Sequence, residues 1–344
     1  MKKQHITIHD IARELNISAS TVSRAMHNHP RISRATREAV QKLALKYDYQ
    51  PNVMASSLRK GKSKTVGVIV PRINRHFFGN VIGGMEEILT SAGYHLIICQ
   101  TLEAVSNEIS ALQTLINARV DAILLSLSME TKDHEHIRIL AEKGIRLFFF
   151  DRISEEIETG SVTIDDRLGA YLSVKHLLAQ SYRNIVHIAG ADHINIYRAR
   201  KEGYREALQE AGIPVREPWI IEASLVARGG YAAFEKAMRF DPRPDAFFCA
   251  GDYAALGVLQ AARDHGLNVP GDIGITGFAN EPFTEFMEPS LTTVDQRAGE
   301  MGRMVAEMFL RNGTLSEDSA ESERVVLQPK LIIRNSSILT HKNN

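Results

Sequence analysis

Residues able to do chemistry gather first in a short window near the start of this 344-residue chain. Ser20, Thr21, Ser23 and Arg24 bring three hydroxyls and a guanidinium, interleaved with Val22, Ala25 and Met26. Wound as a helix opening at Ser18 or Ala19, the apolar three face one way and the polar four the other. An arginine can donate two hydrogen bonds to guanine O6 and N7, and serine or threonine hydroxyls can bond several base edges. A second set follows the apolar runs further on: Arg72-Ile73-Asn74-Arg75-His76-Phe77-Phe78, Ser126, Asp151-Arg152, Gly190-Ala191-Asp192, Gly251-Asp252 and Ala279-Asn280. Guanidinium, carboxylate and aromatic groups in such places suit a polar, ring-shaped solute such as a sugar, held by hydrogen bonds and stacking. Helix capping is the competing role for each aspartate, for Asp252 and Asp192 in particular.

The elements that must carry the first set are three short helices. Ile8, Ile11, Ala12 and Leu15 are spaced as one helical face, with Thr7 and Asp10 as a capping pair. The pattern breaks at Asn16-Ile17-Ser18, resumes through Ala25, and stops at His27-Asn28-His29-Pro30. A third helix is expected from about Ser33 to Tyr47, with Val40, Leu43, Ala44 and Tyr47 inward. Two short helices joined by a tight turn and closed by a third describe a helix-turn-helix, whose second helix enters the major groove. Charge agrees: residues 1–64 hold 13 Lys/Arg against 4 Asp/Glu, and the other 280 residues hold 28 against 37. A basic head on an acidic body leaves only the head suited to a polyanion, a solvated basic tail being the plainer alternative.

The second set needs a different scaffold. Apolar runs at 65–71, 94–100, 122–126, 146–151, 184–189, 246–249 and 274–278 alternate with amphipathic stretches such as Val81, Ile82, Met85, Ile88, Leu89 and Ala92, stopped by Gly93. Short buried strands alternating with helices predict parallel sheets covered on both faces. Their number predicts two lobes, with a first crossover near 153–162 and others near 290–294 and 318–324. In such sheets ligands sit beyond the carboxyl ends of the strands.

Several classes are disfavoured. There is no Gly-x-Ser-x-Gly elbow, Gly-x-Gly-x-x-Gly loop or His-Glu-x-x-His helix, so no enzyme and no cofactor are expected. Gly61-Lys62-Ser63 resembles the end of a phosphate-binding loop, but the position needing the earlier glycine holds Ser56. Asp133-His134-Glu135-His136 has metal-like residue types, but its histidines at i, i+2 do not share a helix face. No apolar run suggests a membrane span or a secretory leader, and Cys99 and Cys249 suit a reducing cytoplasm.

The string Thr7-Ile8-His9-Asp10-Ile11-Ala12 followed by Ser18-Ala19-Ser20-Thr21-Val22-Ser23-Arg24-Ala25 resembles the signature of the LacI/GalR family of transcriptional regulators. The resemblance continues in family order through Val66-Gly67-Val68-Ile69-Val70-Pro71, Phe149-Phe150-Asp151-Arg152, Pro244-Asp245-Ala246-Phe247-Phe248 and Pro289-Ser290-Leu291-Thr292-Thr293-Val294. It implies Arg24 as the main base reader, Ser20 as a second and Ala19 as an apolar contact. Thr7, Ser18, Thr21, Ser23, Asn28 and Arg34 then serve as phosphate contacts or caps. Residues 50–62 resemble the family's hinge helix, which orders on DNA and opens the minor groove, with Ala55 as a DNA contact and Leu58 as the wedge between base steps.

The resemblance further implies a head at 1–49 and an effector-binding and dimerisation domain at 63–340. That domain is an α/β sensor of two Rossmann-like lobes of the periplasmic-binding-protein kind, behind the all-α head. The N-lobe spans about 63–161 and 292–320, the C-lobe about 162–291 and 321–340. Effector residues would be Phe77, Phe78, Asp151, Arg152, Arg200, Phe248, Asp252 and Asn280, with Arg200 placed by Arg200-Lys201-Glu202-Gly203-Tyr204. One departure stands out. Many members carry Asp after the aromatic of a Gly-Phe/Tyr-Asp-Asn string, where this chain has Gly277-Phe278-Ala279-Asn280. Expected partners are double-stranded operator DNA, a sugar-like small molecule and a second copy of the chain, with no membrane. The alternative is a periplasmic-type solute-binding protein without a DNA function.

Overall fold

The computed structural model describes residues 6–26, 28–47, 49, 63–312 and 323–339. The chain divides into two compact units, Met1–Ser63 and Lys64–Asn344. The expected hinge at 50–62, with Ala55 and Leu58, lies outside the described residues.

In the first unit the helices are α1 (Ile8–Glu14), α2 (Ala19–Met26) and α3 (Arg34–Lys46). Asp10 accepts hydrogen bonds from the Thr7 backbone N–H and hydroxyl at 2.9 and 2.7 Å, tying down the start of α1. Ser18 and Ser33 accept from the backbone N–H groups of Thr21 and Thr36, so each caps its helix. The turn between α1 and α2 passes through Asn16 at φ +52°, a left-handed conformation that asparagine tolerates. Ile11, Ala12, Val22, Ala25, Val40 and Ala44 form the buried core. Met26, Leu43 and Tyr47 are only half-buried, because so small a bundle cannot enclose long side chains on every helix.

The second unit alternates strands and helices: β1 (Thr65–Val70), α4 (His76–Ser91), β2 (His95–Gln100), α5 (Val105–Asn117), β3 (Ala122–Leu125), α6 (Glu135–Glu142), β4 (Arg146–Phe150) and β5 (Gly160–Ile164). Then come α7 (Asp166–Ala179), β6 (Ile185–Ala189), α8 (Asn195–Glu210), β7 (Ile220–Glu222), α9 (Ala227–Ala237), β8 (Ala246–Cys249), α10 (Asp252–Asp264) and β9 (Gly274–Thr276). A short α11 (Phe283–Phe286), β10 (Thr293–Asp295), α12 (Ala298–Asn312), β11 (Arg324–Leu327) and β12 (Lys330–Ile332) complete it.

The six-stranded N-lobe sheet runs β11-β5-β4-β3-β1-β2, and the four-stranded C-lobe sheet β7-β6-β8-β9. All pairings within both are parallel. The central strands are continuous apolar runs because both faces are covered, as in Val66 and Val68–Val70, all buried.

Two lobe boundaries drawn from the sequence need correction. β5 pairs with β4, so residues 162–164 belong to the N-lobe, and the chain crosses only at Asp165. β11 pairs with β5, so 324–327 also belong to the N-lobe. The turn-like composition of 153–162 masked a strand beginning at Gly160. A Cβ at Gly160 would meet Phe148 at 2.8 Å, so close packing excludes the β-branched residue that usually marks a strand. The other crossings run through an antiparallel pair, β10 with β12. α12 returns to the N-lobe, where a Cβ at Gly84 would collide with the Gly299 carbonyl and one at Gly302 with that of Val81. These glycines set the close approach of α4 and α12.

Candidate functional site

In the head, α2 buries Val22 and Ala25 and leaves Ser20 and Arg24 exposed, with Ala19, Thr21 and Ser23 half-buried. Ser18 shares hydrogen bonds of 2.8 Å with the hydroxyls of both Ser20 and Thr21, so three hydroxyls cluster at the helix start. The Arg24 guanidinium makes no hydrogen bond or ion pair with any described residue. Asn28 takes φ +53° just past α2, and its side-chain oxygen accepts from Gln41 at 3.3 Å. Arg34 is exposed and donates to Glu38 at 2.8 Å. The result is a polar face whose Arg24 bonds no described residue, backed by the buried core of Val22 and Ala25.

The second unit holds a cavity of about 320 Å³ between its lobes, at the carboxyl ends of the strands. Six residues expected from the sequence line it: Phe77, Phe78, Asp151, Arg152, Arg200 and Asp252. Phe77 and Phe78 open α4 and pack edge to face, with centroids 5.0 Å apart. Arg152, after β4, donates to Glu103 at 2.7 Å, and its Nε has no aligned partner. Arg200, on α8, lies over the Phe278 ring at 3.7 Å and donates to Asp166 and to the Ala250 carbonyl, both at 2.8 Å.

Burial shapes the carboxylates. It pushes Asp166 up to about 7 against the pull of Arg200. It raises Asp151 against Arg152 and Arg200. Asp252 is pushed up to about 6, although its two oxygens accept from the Thr293 hydroxyl at 2.6 Å and the Glu281 N–H at 2.8 Å.

The lobes also touch across the cleft. The Arg75 guanidinium stacks on Tyr253 at 3.9 Å, and Asn195 bonds the backbone of Ile153 and Asp151. Glu103, Asp151 and Ala279 in the lining, with Asn280 and Arg297 beside it, all have positive φ. Strained backbone of this kind concentrates at ligand sites.

Comparison with known proteins places this geometry. Residues 7–52 match the model for bacterial regulatory proteins of the lacI family, and 174–337 match a periplasmic-binding-protein-like domain. Catabolite control protein A of Priestia megaterium is 32% identical over 97% of this chain and 99% of its own length. The chain belongs to the LacI family of bacterial regulatory proteins. The ribose operon repressor of Haemophilus influenzae is 30% identical over 96% of this chain and 98% of its own. A solved structure of the transcriptional regulator CelR in complex with cellobiose superposes with a TM-score of 0.73, at 28% identity over 96% of this chain and 99% of that one. As a LacI-family member the protein is a DNA-binding transcriptional regulator and not an enzyme. No described helix is long and apolar enough to cross a membrane.

Two expected effector residues of this LacI-family chain are placed elsewhere. Phe248 is fully buried in the lobe core, stacked on His187 at 4.7 Å. In β8 its neighbours Phe247 and Cys249 are also buried, so the strand's period sends no side chain to the rim. Asn280 donates to Asp295 at 3.1 Å and accepts from Arg334 at 3.1 Å, bracing the crossover rather than lining the cavity.

Sequence reasoning missed Glu103, Met129, Ile196, Tyr253, Glu281 and Gln296 in the lining. Glu103 follows β2, and the strand-end rule, applied there as elsewhere, reaches it. Gln296 follows the crossover strand β10 and carried no such signal. It is 5% exposed, yet its side chain bonds no described residue. In the Asp133–His136 stretch Asp133 and Glu135 are exposed, while His134 and His136 are half-buried and His136 donates to the buried Glu108 at 2.8 Å.

Proposed function

We propose that this protein is a cytoplasmic, homodimeric repressor that reads a near-palindromic operator and responds to a sugar or sugar derivative. The observation carrying the proposal is the exposed Arg24, which bonds no described residue, beside the Ser18–Ser20–Thr21 hydroxyl cluster on a short helix. In this reading α2 of each head enters the major groove, Arg24 and Ser20 bond base edges, and Ala19 meets a thymine methyl. Thr7, Ser18, Thr21, Ser23, Asn28 and Arg34 hold the phosphates or the turn, which sets register without reading sequence. Residues 50–62 are assigned to the hinge, with Ala55 and Leu58 at the minor groove.

For the effector we assign Phe77, Phe78, Asp151 and Arg152 of the N-lobe, Arg200 and Asp252 of the C-lobe, and Gln296 between them. A site offering guanidinium donors, carboxylate acceptors and an amide matches a polyhydroxylated ring, which both donates and accepts. The cellobiose found in CelR and the ribose bound by another LacI-family regulator, from Enterococcus faecium, favour this class. Binding then shifts the relation of the lobes, and a coupling of about 1–3 kcal/mol changes operator affinity by about 5–150-fold.

The test is selection of duplex DNA from a random pool by the full-length protein, followed by affinity measurement against salt, with and without a carbohydrate panel. A recovered palindrome whose affinity falls with salt and shifts with one sugar is expected. Failure to enrich any sequence, with or without every sugar, overturns the proposal.

A further inference from the structure

The cavity's two walls differ in chemistry, and the difference points to the kind of effector. This step rests on the proposed reading of the cleft as a sugar-like site. On the C-lobe side the lining includes Ile196, Leu225, Val226, Ala250, Gly251 and Ala279, none of which has a polar side-chain atom. Arg200 and Asp252 line the site but are already engaged within the protein, while Ser224, Tyr253 and Glu281 also line it. Arg200 is held by Asp166 and the Ala250 carbonyl. Both Asp252 oxygens are taken, by Thr293 and by the Glu281 N–H.

Two positions make this wall bare. Gly251 has φ −172°, ordinary extended backbone, so no conformational demand requires glycine there. A Cβ on it would touch only Leu225, at 3.7 Å, so its absence leaves open space. Ala279, also in the lining, offers only a methyl group. On the opposite side Arg152 is taken by Glu103 and Arg75 stacks on Tyr253, but other groups are unspent. Arg72 and Gln296 line the cavity with side chains that bond no described residue. Asp151 accepts one long hydrogen bond, 3.3 Å, from Ser126 and lies 3.9 Å from the Arg152 Nε.

We infer that the effector is amphipathic: a polar ring bonded through Arg72, Asp151 and Gln296, carrying an apolar substituent of aryl size against Leu225, Val226, Gly251 and Ala279. Hydroxyls pressed against this wall would lose water without gaining a partner, whereas an apolar group there gains from leaving water. An unsubstituted sugar is therefore the poorer ligand, and an aryl glycoside the better one.

The experiment is calorimetric titration of the full-length protein with matched methyl and phenyl glycosides of glucose, galactose, mannose and ribose. In at least one pair the phenyl member is expected to bind tenfold or more tightly than the methyl member. In Ala279→Asp that ratio is expected to fall at least fivefold. Gly251→Asn, which places its amide in the open space, is the second variant should Ala279→Asp fail to fold.

If methyl members bind as tightly as their phenyl partners, the apolar subsite is overturned while the sugar reading stands. If the phenyl preference persists in the folded variants, its assignment to this wall is overturned. If no member binds a protein that is folded by circular dichroism, the sugar reading and this inference both fall.

Discussion

Two arginines, Arg24 in the head and Arg200 in the sensor, show how differently this chain treats the cations proposed for its two sites. Arg24 is exposed and bonds no described residue. Arg200 is 3% exposed, wedged over Phe278 and bound to Asp166. A cation awaiting phosphates and bases stays in water, where it costs little to hold. A cation inside a cleft must be paired beforehand, because an unpaired buried charge is too costly. The head thus keeps binding and stability separable, and the sensor does not.

The largest expected effect tests that coupling. Arg200→Ala leaves Asp166 buried without its partner and should destabilise the sensor unit by about 3–5 kcal/mol in urea denaturation. Adding Asp166→Asn should recover much of the loss. If Arg200→Ala alone costs under about 1 kcal/mol, the pair is not a structural unit and the contrast with Arg24 weakens.

Next is pH. Burial lifts Asp166 to about 7 in the folded state, from 3.8. The stability associated with this carboxyl is therefore present below about pH 4 and lost as pH rises through about 7. Measured against Asp166→Asn, the wild type should lose about 2–4 kcal/mol between those limits. A difference that stays flat from pH 4 to 8 would show that Arg200 holds the carboxylate fully ionised.

In the head, Arg24→Ala should leave stability within about 0.5 kcal/mol. It should reduce discrimination between operator and random DNA by about 1–3 kcal/mol, read by fluorescence anisotropy. Equal loss on both DNAs would remove Arg24 from base reading. The smallest effect is at the cap: Ser18→Ala should lower the head's stability by about 1 kcal/mol, measured by the thermal unfolding of residues 1–63 within the full chain. No loss there would mean that Ser20 or Thr21 takes over the cap.

How much was legible follows the same division. The helix-turn-helix was readable because its core spacing, caps and polar face lie within about one short stretch, and each cap's partner is three positions away. Ser18 capping Thr21 is such a case. The cleft was half readable. The strand-end rule found Asp151, Arg152 and Phe77 but also swept in Asn280, whose partners Asp295 and Arg334 come from distant segments, and the family resemblance added Phe248, which lies inside its strand. β5 and β11 were lost because Gly160 and the exposed Arg324 dilute the apolar signal of short strands.

The sequence by itself determined a basic three-helix head with an outward polar face and a body of parallel sheets, because helix period, capping and unbroken apolar runs are local properties. Only the tertiary structure decided which carboxylates are spent on which arginines, and that Glu103 and Gln296 meet in one cavity. Those facts depend on three crossings between lobes that join residues far apart in the chain, and no local pattern encodes such a distance.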